Sequence, residues 1–127
     1  RITKGAENLA VMRLGPKGLF RWYAKCCNAP VATTTSSMKF PFAGFDVARF
    51  SDPSPLGSVK TRAHVPQANG KWKHENVAPA VLGMIRRVIS ARLSGRWKQT
   101  PFFDIATGKP VVAPHVITLE ERKALYD

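Results

Sequence analysis

One stretch of the chain, residues 79–93, has the periodicity of a long helix. Proline and glycine residues interrupt the sequence on both sides of it. Its apolar residues recur at spacings of three and four, which predicts an amphipathic helix with one apolar stripe. That stripe consists of Val81, Leu82, Ile85, Val88, Ile89 and Leu93. Pro79 suits a first turn and Gly95 a C-terminal cap. We expect the stripe to pack on a sheet; the alternative is a helix lying on an anionic membrane.

Strands are predicted before this helix. Residues 9–14 and 19–23 flank a Gly-Pro-Lys-Gly turn and predict a hairpin. The β-branched residues 31–35 predict a third strand. Residues 59–65 alternate in part between apolar and basic side chains, which is typical of an edge strand, and the polar residues 67–76 predict a loop or hairpin tip.

Shorter elements are predicted after the helix. Residues 101–112 indicate a hairpin that turns at Thr107-Gly108, and Thr118 with Glu121 forms the capping-box pattern that opens a short helix. The order of elements predicts an α+β fold with small antiparallel sheets. The 127 residues fit one domain, with residues 1–76 mostly a β core and residues 77–127 the helix and a C-terminal extension.

The charge of the chain is strongly positive. Twenty Lys and Arg face eight Asp and Glu, giving a formal net charge of +12. Such a field attracts nucleic acid, anionic membranes or acidic small molecules, and the alternative is a basic surface that serves solubility. The longest apolar stretch, residues 77–85, is too short to span a membrane and contains Pro79 and Gly83, so no transmembrane segment is expected.

The two cysteines, Cys26 and Cys27, are adjacent, and a disulfide between neighbours requires strained geometry. Without a disulfide framework, the sequence predicts a reducing, cytoplasmic setting.

Zinc sites use three or four protein ligands. The available donors have no usual ligand spacing and are Cys26, Cys27, His64, His74 and His115. Packed or unmodified thiols are the simpler interpretation. A nucleophilic cysteine would need a lowered pKa, for which Arg21 and Lys25 are near in sequence.

Four aromatic residues lie beside basic ones: Trp22, Tyr23, Trp72 and Trp97. Such a pattern occurs where nucleic-acid bases stack, but strand packing with an indole at the edge explains it equally. We prefer packing for Trp22 and Tyr23. Trp72, flanked by two lysines, is expected to be the most exposed.

Two segments resemble a known family. Residues 21–31, RWYAKCCNAPV, resemble the part of glutathione-dependent formaldehyde-activating-like proteins in which an aromatic strand ends in a Cys-x-x-Cys knuckle. Residues 91–104, ARLSGRWKQTPFFD, with residues 108–111 and 118–122, are similar to the C-terminal extension of an uncharacterised bacterial branch of that superfamily.

The resemblance implies an Mss4-like β-tent and zinc held by cysteine pairs. Cys27 aligns with the second knuckle cysteine, whereas Ala24 occupies the first position and the upstream pairs are absent. The chain thus resembles the C-terminal two-thirds of a family member and is expected to lack an N-terminal zinc-ligand segment. Zinc is expected in the complete protein, with Cys27 joined by ligands from outside this chain, and not from this chain alone.

Two functions follow as expectations. The resemblance implies a formaldehyde-activating-like protein, a carbon–sulfur lyase acting on a thiol adduct in its complete form, with an anionic thiol peptide as a candidate ligand. The alternative is a non-catalytic binding module whose basic surface receives nucleic acid or an acidic ligand. A second copy of the chain is a further candidate partner, because a free strand edge can pair. The sequence assigns no catalytic residue.

Overall fold

The computed structural model describes residues 2–124. Its main sheet has five strands in the order β4-β3-β2-β1-β7. These strands are β1 (Leu9–Arg13), β2 (Phe20–Ala24), β3 (Ala29–Thr34), β4 (Ala43–Gly44) and β7 (His115–Val116). The first four pair antiparallel, and β7 pairs parallel with β1, Met12 facing His115. The predicted N-terminal hairpin and third strand are therefore confirmed.

The core lies on one face of this sheet. Because side chains alternate along a strand, Leu9, Val11, Phe20, Trp22 and Ala32 all point to that face and are buried. Phe102 and Phe103, from the segment after the long helix, cover them. The ring centroid of Trp22 lies 4.9 Å from that of Phe102 and 6.3 Å from that of Phe103. The core is thus small and aromatic, which agrees with the predicted packing role of Trp22.

One buried hydrogen bond orders this core. The indole N–H of Trp22 donates to Oγ1 of Thr34 at 2.9 Å, and the Thr34 hydroxyl donates in turn to the carbonyl of Thr35 at 3.1 Å. Trp22 is 1% exposed and Thr34 is 2% exposed. Buried N–H groups require acceptors, so this bond fixes the orientation of the indole between β2 and β3.

The predicted C-terminal hairpin is present as a short turn. Phe103 forms an antiparallel bridge with Pro110, and the Asp104 amide donates to the Lys109 carbonyl at 2.8 Å. The Asp104 carboxylate accepts the Thr107 amide at 2.8 Å, which lowers its pKa. Gly108 follows with a φ of 68°, a conformation that L side chains rarely adopt. This turn holds the two core phenylalanines against the sheet.

A second, two-stranded sheet pairs β5 (Arg62–Pro66) with β6 (Trp72–Glu75). The predicted strand near residues 59–65 is therefore present, and residues 67–76 are a turn followed by a strand. Trp72 is 62% exposed, as expected. No residue of this hairpin is buried, and its two strands pair only with each other.

The long helix α1 (Val77–Leu93) starts two residues before its predicted beginning and ends at the predicted residue. Gly95, with a φ of 72°, follows its end. The short helix α2 (Leu119–Lys123) begins at the predicted capping box of Thr118 and Glu121. The predicted α+β class, with small sheets, one amphipathic helix, a C-terminal hairpin and a short helix, is confirmed.

The expectation that the α1 stripe packs on a sheet is wrong. No residue of α1 is buried. The helix faces residues 41–43 through its small or half-buried side chains Ala80, Met84 and Val88. Arg92 also anchors it, donating to the Lys39 carbonyl. The face with the largest apolar side chains points away from the domain.

The chain exposes a large surface for its mass. Its accessible area is 10026 Å², whereas a folded monomer of 14.0 kDa has about 6,700 Å². The excess is therefore about 3,300 Å². It includes the outer face of α1 and both faces of the second hairpin, neither of which has a buried residue.

Candidate anion-binding cleft

A cleft of about 560 Å³ lies beside β3 at the edge of the main sheet. Two 3₁₀ helices border it, Val47–Arg49 and Arg96–Lys98. Apolar side chains line much of it, among them Val31, Phe45, Phe50 and Phe102. Pockets of this volume with a few polar groups on an apolar lining are typical binding sites for small molecules.

Two arginines line the cleft, one from each short helix: Arg49 and Arg96. Asp46 caps the first helix, because its carboxylate accepts the Ala48 amide at 3.0 Å, and Arg49 is in the last turn. Arg96 follows directly after Gly95, whose left-handed conformation separates α1 from the second 3₁₀ helix. Local turn geometry therefore places both arginines at the border of the cleft.

Neither cleft arginine has a carboxylate partner in the part of the chain that the structure describes. The two ion pairs there are Lys73 with Glu75 and His115 with Glu121, each at 3.3 Å. Asp46 is the acidic residue of the cleft lining, and its carboxylate also serves as a helix cap. With two arginines and one aspartate, the lining has a net charge of one positive unit.

Trp97 also lines the cleft and is held by two cations. The guanidinium carbon of Arg92 lies 4.8 Å from the ring centroid, and Nζ of Lys98 lies 5.7 Å from it. Such contacts are favourable because the face of an indole is electron-rich. The ring is half-buried. Two cations of the chain's own thus already contact the Trp97 ring, which leaves less free face for a base than the sequence pattern suggested.

A shallow depression of about 720 Å³ adjoins the cleft on the face of the main sheet opposite the core. Arg21 and Tyr23, two of the residues singled out in the sequence, line it together with Met12. Val31 and Phe45 line both the depression and the cleft. The apolar lining is thus continuous from the cleft onto the open sheet face.

The two cysteines lie apart from the cleft lining. Cys26 and Cys27 follow β2 and are exposed free thiols. The Cys26 thiol donates to the sulfur of Cys27 at 3.8 Å, and this hydrogen bond raises the pKa of Cys26. A raised pKa keeps the thiol protonated, which is the opposite of what a nucleophile needs. The proximity of Lys25 and Arg21 in sequence does not reverse that direction.

The three histidines lie in two places. The imidazole of His74 accepts the His64 amide at 3.1 Å within the second hairpin, whereas His115 contacts Glu121 at the C-terminal end. No three His, Cys, Asp or Glu side chains within residues 2–124 form a group that could hold a metal. The hypothesis that Cys27 completes a zinc site needs ligands from outside the chain and stays a prediction.

The cleft residue Arg49 was not identified from the sequence. Residues 36–56 contain several phenylalanines and prolines and predicted apolar bulk without a regular element. The available signal was Asp46 directly before Val47, because aspartate is a preferred helix cap. That capping position predicts a short turn ending at Arg49, but not that Arg49 lines the same cleft as Arg96.

The fold and the cleft together define the class of protein, which is a small, basic α+β domain with an apolar cleft that two arginines line. The chain belongs to a family described as "Family of unknown function (DUF6151)", whose model matches residues 1–114. No curated protein matches the chain, and no solved structure does. Within the described residues, no helix is long and apolar enough to cross a membrane.

This family assignment corrects the resemblance drawn from the sequence. The chain was identified there with the formaldehyde-activating-like proteins, and the family that matches is a different one. The misleading signal was an aromatic strand followed by Cys, Asn and Pro, since strand–turn junctions of many folds share these residue types. Ala24, in place of the first knuckle cysteine, was the departure that argued against it.

Proposed function

We propose that this protein is a binding module for an anionic small molecule with an apolar body, held in the cleft between Arg49 and Arg96. The observation that supports the proposal is the combination in one cleft of two arginines without carboxylate partners and a lining rich in aromatic and aliphatic side chains. The chain then acts by binding, with no chemical step assigned to it.

Arginine suits this role because its planar guanidinium donates two parallel hydrogen bonds to a carboxylate, sulfonate or phosphate. A hydrogen bond to a charged group contributes roughly 1.5–3 kcal/mol. Burial of apolar ligand surface on Val31, Phe45 and Phe50 adds about 25 cal/mol for each Å² removed from water. An anionic group without an apolar body would use only the first of these contributions.

Nucleic acid is the less favoured occupant of this cleft. Its phosphates would meet the arginines, but its sugar-phosphate backbone offers little to an apolar lining. The ring of Trp97, which could stack on a base, already contacts Arg92 and Lys98. An acidic small molecule uses both the charge and the apolar lining.

Calorimetric titration with 1-naphthalenesulfonate, a planar apolar body with one anionic group, tests the proposal. We expect binding to the wild-type protein and a loss of affinity of roughly tenfold in each of Arg49→Gln and Arg96→Gln. Arg62→Gln is the matched control, because Arg62 is an exposed arginine of β5 outside the cleft. It removes the same charge and should leave the affinity within about twofold.

The neutral analogue 1-naphthylmethanol separates charge from apolar burial. Equal affinity for both compounds would contradict a role for the arginines. Equal weakening by all three Arg→Gln changes would mean that net charge, not the cleft, attracts the anion. A DNA duplex that binds with a steep dependence on salt and displaces the sulfonate would replace the proposal with a nucleic-acid interface.

A further inference from the structure

The β5–β6 hairpin stands apart from the core of the domain. No residue of either strand is buried, and within residues 2–124 the two strands pair only with each other. An isolated two-stranded hairpin is marginally stable in water. Its side chains are therefore largely open to solvent on both faces and available to a partner.

One face of the hairpin carries three aromatic rings in contact. Trp72 and His74 alternate along β6 and so point to the same face, and His64 of β5 lies beside both. The ring centroid of His64 is 6.0 Å from that of Trp72 and 4.9 Å from that of His74. Trp72 is 62% exposed, and the two imidazoles are exposed as well. We call these three residues the hairpin aromatic face.

A β-bulge brings His64 into this group. The register shifts between Arg62 and Val65, so that two residues of β5 stand opposite His74 alone. His64 is the second of the two, with a φ of 56° that a residue with a Cβ seldom adopts. Its amide donates to Nδ1 of His74 at 3.1 Å, which fixes that imidazole. Bulges redirect side chains, and this one completes the hairpin aromatic face.

The hairpin is also strongly cationic. Residues 58–76 contain four Lys or Arg and one acid, Glu75, so their net charge is +3 with neutral histidines. The acid pairs with Lys73 at 3.3 Å. The four cations are all exposed and are Lys60, Arg62, Lys71 and Lys73. Two of these lysines directly precede and follow Trp72 in the chain, so positive charge lies next to the exposed indole.

The Trp72 ring differs from the Trp97 ring in its neighbours. Arg92 and Lys98 contact Trp97, whereas no cation–π contact to Trp72 occurs within residues 2–124. Among the described residues, the aromatic neighbour of Trp72 is His64, at an interplanar angle of 73°. The indole of Trp72 therefore keeps free surface on which a planar ligand can stack.

We propose that the β5–β6 hairpin binds single-stranded nucleic acid, with one base stacked on Trp72 and neighbouring phosphates against Lys71, Lys73 and Arg62. Aromatic rings that stack on bases, together with cations along the backbone, hold single strands without reading their sequence. A duplex hides its base faces and would offer the hairpin only its phosphates. An anionic membrane would require more apolar surface than one indole beside two imidazoles.

This site is separate from the cleft. None of the hairpin residues lines the cleft, so the proposal goes beyond the binding of a small anion and does not depend on it. Saturating 1-naphthalenesulfonate should leave nucleic-acid binding unchanged. Arg49→Gln, which removes a cation of the cleft, should leave it within about twofold.

Fluorescence anisotropy with a labelled oligothymidylate of about twelve nucleotides tests the stacking contact. Trp72→Ala should weaken binding roughly tenfold, and Trp72→Leu should do the same, because leucine keeps apolar bulk without a π face. Trp72→Phe keeps an aromatic face and should stay within about threefold of the wild type. The fold should be retained in all three variants, since the hairpin has no buried residue, and circular dichroism checks this.

Lys71→Gln tests the phosphate contacts in the same assay. Binding should weaken as salt rises, with a slope of about −0.7 in log affinity against log salt for each phosphate contact, and Lys71→Gln should make the slope shallower by about that amount. Lys17→Gln is the matched control, because it removes the same charge from an exposed position between β1 and β2. It should leave the slope unchanged.

A photochemical cross-link locates the contact without any variant. An oligothymidylate that carries one 5-bromouracil should form an adduct with the wild-type protein under ultraviolet light. Mass spectrometry of the digested adduct should find it on the peptide that contains Trp72.

Three results would overturn the proposal. One is an oligothymidylate that fails to bind at low salt; if vesicles of phosphatidylcholine and phosphatidylserine bind the wild type and not Trp72→Ala, the partner is a membrane surface. Another is equal weakening by Lys71→Gln and Lys17→Gln with unchanged binding to Trp72→Ala, since net charge alone would then attract the strand. The third is a duplex that binds more tightly than the single strand and equally well to Trp72→Ala, since phosphate contacts would then replace stacking.

Discussion

Thr34→Val tests whether one buried hydrogen bond orients the core of this protein. The change replaces the hydroxyl with a methyl group of similar size, so the packing around Trp22 is retained. It removes the acceptor 2.9 Å from the indole nitrogen. Because Trp22 is only 1% exposed, water cannot replace that acceptor without a rearrangement of the core.

An unsatisfied buried donor costs about 1–3 kcal/mol, so we expect a loss of about 2 kcal/mol in the free energy of unfolding. The free energy of unfolding of a small domain is about 5–15 kcal/mol in total, so this loss is a substantial share of it. With a urea m-value of about 1–3 kcal/mol per molar, the unfolding midpoint should fall by about 1 M. Far-UV circular dichroism is the appropriate signal, because three tryptophans contribute to fluorescence.

The neighbouring Thr33→Val is the matched control. Thr33 is next to Thr34 on β3 but points to the opposite, open face of the sheet, where its hydroxyl can reach water. It should change stability by less than about 0.5 kcal/mol. In a Trp22→Phe background, where the donor is gone, Thr34→Val should cost about 1 kcal/mol less than in the wild type. Equal losses from both threonine changes, or an undiminished loss in that background, would refute the reasoning.

Three further results are expected. Gly108→Ala should lower the free energy of unfolding by about 1–2 kcal/mol, because the φ of 68° at Gly108 disfavours a Cβ. Gly15→Ala is the control and should leave stability unchanged, because a Cβ at Gly15 meets open space. Equal thermal midpoints for the two variants would contradict this prediction. The pKa of Asp104 is lowered by a hydrogen bond from a turn amide, so its contribution to stability is present above the ordinary value of 3.8 and is lost as pH falls through the lower, folded-state pKa. Thermal melts in acid should show this loss, and Asp104→Asn should reduce it. Native protein should react with two equivalents of a thiol reagent, because Cys26 and Cys27 are both exposed; one protected thiol together with bound zinc would instead support a metal site at Cys27.

Local patterns were sufficient to predict most elements of the fold. The glycine–proline turn before Leu19 strongly favours a reversal of the chain, and the alternation of Phe20, Arg21 and Trp22 indicates which face of β2 is buried. The capping box at Thr118 is equally local. What could not be predicted was the direction of the α1 stripe, because periodicity shows that a helix has an apolar face without showing what covers it.

The candidate cleft was harder to predict than the fold. Arg49 and Arg96 are 47 positions apart in the sequence, and their presence in one cleft lining depends on how residues 36–56 return to the sheet edge. That segment has no repeated pattern, and its phenylalanines Phe45 and Phe50 stay largely exposed, so no core position marks its path in the sequence. The cysteines and histidines attracted attention because their chemistry is distinctive, but the structure separates them from the cleft lining.

The parallel pairing of β7 with β1 has a consequence for the order of folding. Met12 and His115 are partners across almost the whole chain, and closing so long a loop is entropically slow. Phe102 and Phe103, which cover Trp22, also come late in the sequence. During synthesis, the N-terminal hairpin and β3 therefore emerge with the aromatic face of the sheet uncovered. In this interval the nascent chain is most exposed to aggregation, and the interval ends only when residues 102–116 have left the ribosome.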